Sequence, residues 1–213
     1  MNLITENYPA YQNNIPQNGQ HILAQQTNNM VVVYQAFNPL IANYAIQNQQ
    51  FGGGAYSFNR MSWIKPNFLW MMYRCGWAQK EHQQYVLAIW IKQTDFDYIL
   101  SKAAYSSYKQ GIYTSHEEWK QHLATTEVRL QWDPDHDPYG NSLERRAIQL
   151  GMKGAILKAF CTEMVEKIED ITPFVKEQYG FVANSDTEKL TVAYERVYVP
   201  NDEKLTSFLG LDR

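Results

Sequence analysis

The sequence predicts an α+β fold, and three features lead there. Apolar, β-branched runs of strand length alternate with stretches of helical period, several strand candidates lie near enough along the chain to pair antiparallel, and no unit repeats. With 213 residues, 45% of them hydrophobic, the chain can fill the core of one domain.

Residues 1–29 are rich in Asn, Gln, Pro and Tyr and lack a hydrophobic period, so a polar arm is expected there, mobile or laid on the domain, with residues 30–213 as a single globular domain. Met30 to Ala36 is a β-branched run suited to a buried strand. Asn38 and Pro39 then supply an N-cap and a first-turn proline for a helix burying Leu40, Ile41, Tyr44 and Ala45. After Gly52-Gly53-Gly54, Arg60 to Ile64 reads as a short strand. It runs through Lys65 into a helix expected to start at Pro66 and to end at Gly76, apolar nearly all round and hence buried. Gln84 to Lys92 predicts another buried strand, and Asp95 to Ala104 a helix with Phe96, Ile99, Leu100 and Ala103 on one face. Ser115 and Glu118 form a capping box before Trp119 and Leu123. From Val128 to Asp133 the residues alternate, with Val128, Leu130 and Trp132 on one face and Arg129, Gln131 and Asp133 on the other. A turn leads to a strand over about Arg145 to Leu150, a helix over about Lys153 to Glu166 follows, and Pro173 starts a turn.

A net charge of −3 carries no polyanion-binding signature. Charged residues make up only 19% while aromatics reach 14%, so polarity comes from amides, hydroxyls and phenols. Those groups suit a hydrogen-bonded interior or a site that stacks and hydrogen-bonds a planar polar ligand. Cys75 and Cys161 are too few and too far apart for a disulfide framework or a zinc motif. Residues 1–20 show no basic stretch followed by an apolar one, and no run approaches about 18 apolar residues. A soluble, cytoplasmic protein with no membrane partner is expected.

Two places could hold chemistry. A helix starting at Pro66 would offer the backbone N–H groups of Asn67 and Phe68 to a phosphate, with Arg60, Lys65 and Arg74 adding positive charge; the competing reading is a solvated Lys65 and a core Trp63. The second is a wall of Arg129, Gln131 and Asp133 with Arg145, Arg146 and Gln149, suited to ribose hydroxyls or phosphates if the two strands pair; the competing reading is a solvated sheet face. The Asp133 to Glu144 run resembles a calcium loop but has Pro138 where the turn needs glycine, and the histidines are scattered, so no metal is expected. Cys75 lies near a helix C-terminus, where the dipole raises a thiol pKa, and no Walker, GxSxG or GxGxxG motif occurs.

With these residues read, the chain resembles the domain of unknown function 4291 family. The likeness runs from Val33 to about Tyr198, through Val33 to Pro39, Arg60 to Trp77, Val128 to Pro134, Ala147 to Gly151 and Ile168 to Pro173. The family pattern has serine where Cys75 stands and Glu-Arg where Asp135-His136 stand, which speaks against a thiol mechanism and a calcium loop. The order of elements also resembles the ADP-ribosyltransferase fold, in which a cleft between two small split sheets holds NAD. That resemblance implies Tyr34 and Gln35 beside the nicotinamide and its ribose, Ser62 and Trp63 lining the cleft, and Arg60 and Lys65 at the phosphates. It also places Gln149 where a catalytic glutamate is usual, and neither the histidine nor the arginine usual on the first strand stands beside Tyr34.

The expectation is therefore an NAD- or nucleotide-utilising transferase with NAD as substrate. Tyr34, Gln149 and Glu195 are the catalytic candidates, and Gln35, Arg60, Ser62, Trp63, Lys65, Asn67, Arg74, Arg129, Gln131 and Arg146 the nucleotide-binding ones. The alternatives are a nucleic-acid-binding module that stacks bases beside Arg129, Arg145 and Arg146, and a non-catalytic interaction protein.

Overall fold

The computed structural model describes residues 3–27 and 29–212. The chain opens with β1 (Thr5–Asn7), α1 (Tyr8–Asn13), β2 (Ile22–Ala24) and β3 (Gln26–Thr27). The polar N-terminal segment is thus laid on the domain, and it inserts Leu3, Tyr8, Tyr11, Ile15 and Leu23 into a core. β4 (Met30–Phe37) and α2 (Pro39–Asn48) follow, the helix capped by Asn38, whose side chain accepts from Ile41 N. That helix buries Ala42 and Ala45, whereas Leu40 points to solvent at 72% exposure.

Next come β5 (Ser62–Ile64), α3 (Phe68–Cys75), β6 (Tyr85–Lys92), α4 (Gln93–Ser101) and β7 (Ala103–Tyr105). The expected helix over Asp95 to Ala104 stops at Ser101, and Ala103–Tyr105 turns into a strand beside β8. α5 (His116–Thr125) then leads to β8 (Val128–His136) and β9 (Ser142–Met152), which pair as a hairpin.

The helix expected over Lys153 to Glu166 is cut short. α6 (Gly154–Ala159) passes into a π turn (Phe160–Met164), and Val165–Asp170 leaves it as β10, which pairs with the edge of β6. Hydrogen bonds offered by β6 outweigh continuation of the helix. Pro173 opens α7 (Thr172–Ala183) rather than a turn, because proline is tolerated in the first helical turn and Val175, Gln178 and Val182 fall on one buried face. β11 (Thr191–Ala193), β12 (Arg196–Tyr198) and α8 (Glu203–Leu209) end the described chain.

The architecture is α+β. One four-stranded sheet runs β10-β6-β4-β3, all antiparallel; the other runs β5-β9-β8-β7, with only β7 and β8 parallel. Two ribbons, β1-β11 and β12-β2, flank them. β4 and β6 are apolar on both faces because each face meets a different core. Val31, Val33, Leu87, Ile89 and Ile91 join a core that includes Ile64, Leu130, Ile148 and Leu150 of the second sheet. Val32, Tyr34, Val86, Ala88 and Trp90 face a second core under α3, α7 and the N-terminal segment.

Among the described residues one backbone bridge joins the two sheets, where Tyr34 N donates to Lys65 O at 2.7 Å and Lys65 N donates to Tyr34 O at 3.2 Å. Beyond it the strands separate. No helix among the described residues is long and apolar enough to cross a membrane.

Candidate functional site

Where β4 parts from β5, a cleft of about 1060 Å³ opens. Its floor is the polar face of β8 and β9, and its walls are the end of β4, β5 and the exposed side of α3. Alternation along β8 sends Leu130 and Trp132 into the core and turns Gln131 and Asp133 toward the cleft.

Register does the rest. Gln131 lies directly opposite Gln149, and both amides reach Asp133: Gln131 Nε2 donates to Oδ1 at 3.1 Å and Gln149 Nε2 to Oδ2 at 2.8 Å. The carboxylate is held by two neutral donors, one for each oxygen. Trp63 lies over Gly151 of β9, so close that a Cβ at position 151 would stand 2.8 Å from the indole and 2.6 Å from Met61 Sδ. Only glycine leaves room for that ring.

Gln35, the residue after the sheet bridge, crosses the corner and donates to Ser62 Oγ at 2.8 Å and to Trp63 O at 3.1 Å. Its Oε1 is buried without a hydrogen-bond partner among the described residues. Lys65 lines the same cleft at 6% exposure, and no carboxylate ion-pairs with it among the described residues. Burial pushes its ammonium down to about 8 and the Arg74 charge adds to that, against the pull of Asp133. Arg60 and Arg74 stand exposed on the cleft wall, Arg74 lying 5.9 Å from the ring of Trp70.

Eight of the residues singled out from sequence therefore meet in one cleft: Gln35, Arg60, Ser62, Trp63, Lys65, Arg74, Gln131 and Gln149. The other five do not line it. Tyr34 turns its side chain into the second core, fully buried, with its ring edge-on to Phe68 at 5.7 Å. Glu195 and Asn67 meet under α3 instead.

The helix expected to start at Pro66 starts at Phe68, with Asn67 as its cap: Asn67 Oδ1 accepts from Trp70 N at 2.7 Å. The amide that was to greet a phosphate, Phe68 N, donates to Glu195 Oε1 at 2.6 Å. Glu195 Oε2 also accepts from Asn67 Nδ2 at 2.9 Å and Tyr11 Oη at 3.1 Å. A buried protein carboxylate already occupies the helix end, so the cations of the cleft, not α3's amides, are left to receive an anion. Burial raises the Glu195 carboxyl well above its ordinary range.

Arg129 donates to Thr126 O at 3.1 Å and Arg146 to Trp132 O at 2.9 Å. Arg145 makes a buried ion pair with Asp135 at 2.7 Å, so this guanidinium and carboxylate satisfy each other away from the cleft. The acidic turn is likewise spoken for, since Asp137 Oδ1 accepts from Tyr139 N and Asn141 N, both at 2.9 Å. Cys75 and Cys161 are free and buried, and burial raises both thiols, Cys161 to about 11.

Asp133 was legible as a polar-face residue but not as the carboxylate of the cleft. The signal was register: once Gln131 faces Gln149, a carboxylate two residues on lies within reach of both amides. Trp70 and Tyr56 also line the cleft; Trp70 falls within the Arg60 to Trp77 string, but neither residue was singled out as a site candidate.

Residues 21–198 match the family described as Domain of unknown function (DUF4291). No curated protein matches the chain.

Proposed function

We propose, for a chain that belongs to the DUF4291 family, that the cleft takes a phosphate-bearing nucleotide and that the protein is a cytoplasmic NAD- or nucleotide-utilising transferase of ADP-ribosyltransferase-like fold. The observation that carries this reading is the presence, in one cleft, of a flat indole over Gly151 and of the buried Lys65, which makes no direct ion pair among the described residues. The indole suits a planar base or pyridine ring, and Lys65 with Arg60 and Arg74 suits a diphosphate. The division of the strands into two sheets that diverge from a single bridge supports the fold analogy.

NAD fits the donor set by chemistry. Ring, ribose hydroxyls and phosphates find an aromatic face, amide and carboxylate acceptors, and cations respectively. In transfer from NAD, the bond between nicotinamide nitrogen and ribose C1′ breaks with its electron pair going to nicotinamide, and an acceptor nucleophile bonds C1′ and gives up its proton. Positive charge gathers on the ribose as that happens, and a carboxylate beside it lowers the barrier. Gln149 has no charge to offer, but it orients Asp133, which does.

Thermal-shift and calorimetric titration with NAD and ADP-ribose test the reading. The protein is expected to be stabilised by both, and Lys65→Ala and Gly151→Val, the latter by displacing Trp63, to lose the response. No stabilisation by either nucleotide and no release of nicotinamide would overturn it.

A further inference from the structure

Among the described residues, neither Asp133 nor Lys65 makes a direct ion pair in the cleft, although the Asp133 charge reaches Lys65. Asp133 has neutral amides on both oxygens and, among the described residues, no ion pair with any Lys, Arg or His. Lys65 is buried and equally unpaired. A ligand that matches both must be negative at one end and positive, or strongly donating, at the other.

The geometry narrows that further. Gly151 stands two residues from Gln149 on β9, hence on the same face, so the indole over Gly151 and the Asp133 clamp share one floor. An aromatic face attracts a cation placed over it, and a nearby carboxylate adds to that attraction. The two amides fix the carboxylate's plane before any ligand arrives, so little is lost in ordering it.

We propose that this cleft selects the oxidised, cationic form of a pyridine nucleotide over its neutral dihydro form, and that Asp133 is the residue that discriminates. This rests on the nucleotide reading and specifies its substrate. The selection has chemical sense. A pyridinium leaves the ribose as a neutral base when the glycosidic bond breaks, whereas a dihydropyridine would have to leave as an anion. A site that binds the cation binds the form that can be cleaved.

Calorimetry with oxidised dinucleotide, reduced dinucleotide and ADP-ribose, on the wild type, Asp133→Asn and Asp133→Ser, decides the matter. The oxidised form is expected to bind the wild type about tenfold more tightly than the reduced form. Either substitution is expected to bring the oxidised form down to the level of the reduced one and to weaken the reduced form and ADP-ribose far less. Equal affinities for the two dinucleotides on the wild type, with ADP-ribose bound, overturn the inference while the nucleotide reading stands. Equal weakening of all three ligands by both substitutions also overturns it, since Asp133 is then a structural clamp. If none of the three binds, the nucleotide reading falls and takes the inference with it. Should neither variant fold, the wild-type comparison of oxidised with reduced form still decides the selectivity.

Discussion

Lys65 shows what the cleft costs in stability. Burial and the charge of Arg74 bring its ammonium from 10.5 to about 8 in the folded protein. As pH falls through 10.5 the unfolded chain takes up this proton first, so the Lys65 contribution to stability declines between about pH 10.5 and 8 and stays low below that. Lys65→Met is therefore expected to be more stable than the wild type near neutral pH, by on the order of 3 kcal/mol, and the difference to vanish toward pH 10.5. Urea denaturation of both proteins across that range checks the sign, and the variant should at the same time lose ADP-ribose. At this scale the sequence was informative about residue type and poor about direction. Tyr34 and Gln35 are neighbours on β4, and alternation sends one into the second core and the other to the cleft corner. Both were candidates; only the sheet's position between two cores separates them.

At the level of elements, α3 is the piece that links the core to the cleft. Its inner face holds Phe68, Leu69 and Met72 in the second core, while Trp70, Met71 and Arg74 reach the cleft wall. Its start is set by Asn67, which caps Trp70 N and also donates to Glu195. Asn67→Ala is expected to cost more than the roughly 1 kcal/mol of an ordinary cap, because Glu195 loses a donor in a place water does not reach, and nucleotide affinity should fall as Trp70 and Arg74 shift. Asp202→Ala, which removes the cap of the remote α8, provides the comparison: a loss of about 1 kcal/mol with affinity unchanged. Thermal melts and titrations of the two variants separate these outcomes. Local signals read most element starts well, Asn38 and Ser115 among them. They failed where a strand edge competed with helix propensity, as at Val165–Asp170, and where an expected turn supplied a helix face, as at Val175, Gln178 and Val182.

Across the whole molecule, the N-terminal segment is part of the fold. Leu3, Tyr8, Tyr11 and Ile15 belong to the second core, β1 pairs with β11, and β2 pairs with β12. Tyr11, 1% exposed, both fills that core and donates to Glu195. Tyr11→Ala is expected to destabilise the entire domain, by about 3–5 kcal/mol, in a single unfolding transition followed by fluorescence and circular dichroism alike. A melt that left the far-ultraviolet signal intact would show a detachable arm instead.

Composition, apolar runs and capping residues were enough to determine an α+β chain with strands over about Met30 to Ala36, Gln84 to Lys92 and Val128 to Asp133 and the polar face of the last. Those are local facts, set by side-chain period and by which backbone groups a neighbouring residue can satisfy. Which carboxylate faces the cleft was decided only by tertiary structure. Cross-strand register brought Gln131 and Gln149 onto Asp133, and a buried helix end drew Glu195 away to Phe68 N. Pairing between distant segments depends on register and burial, and neither is carried by spacing along one stretch of chain.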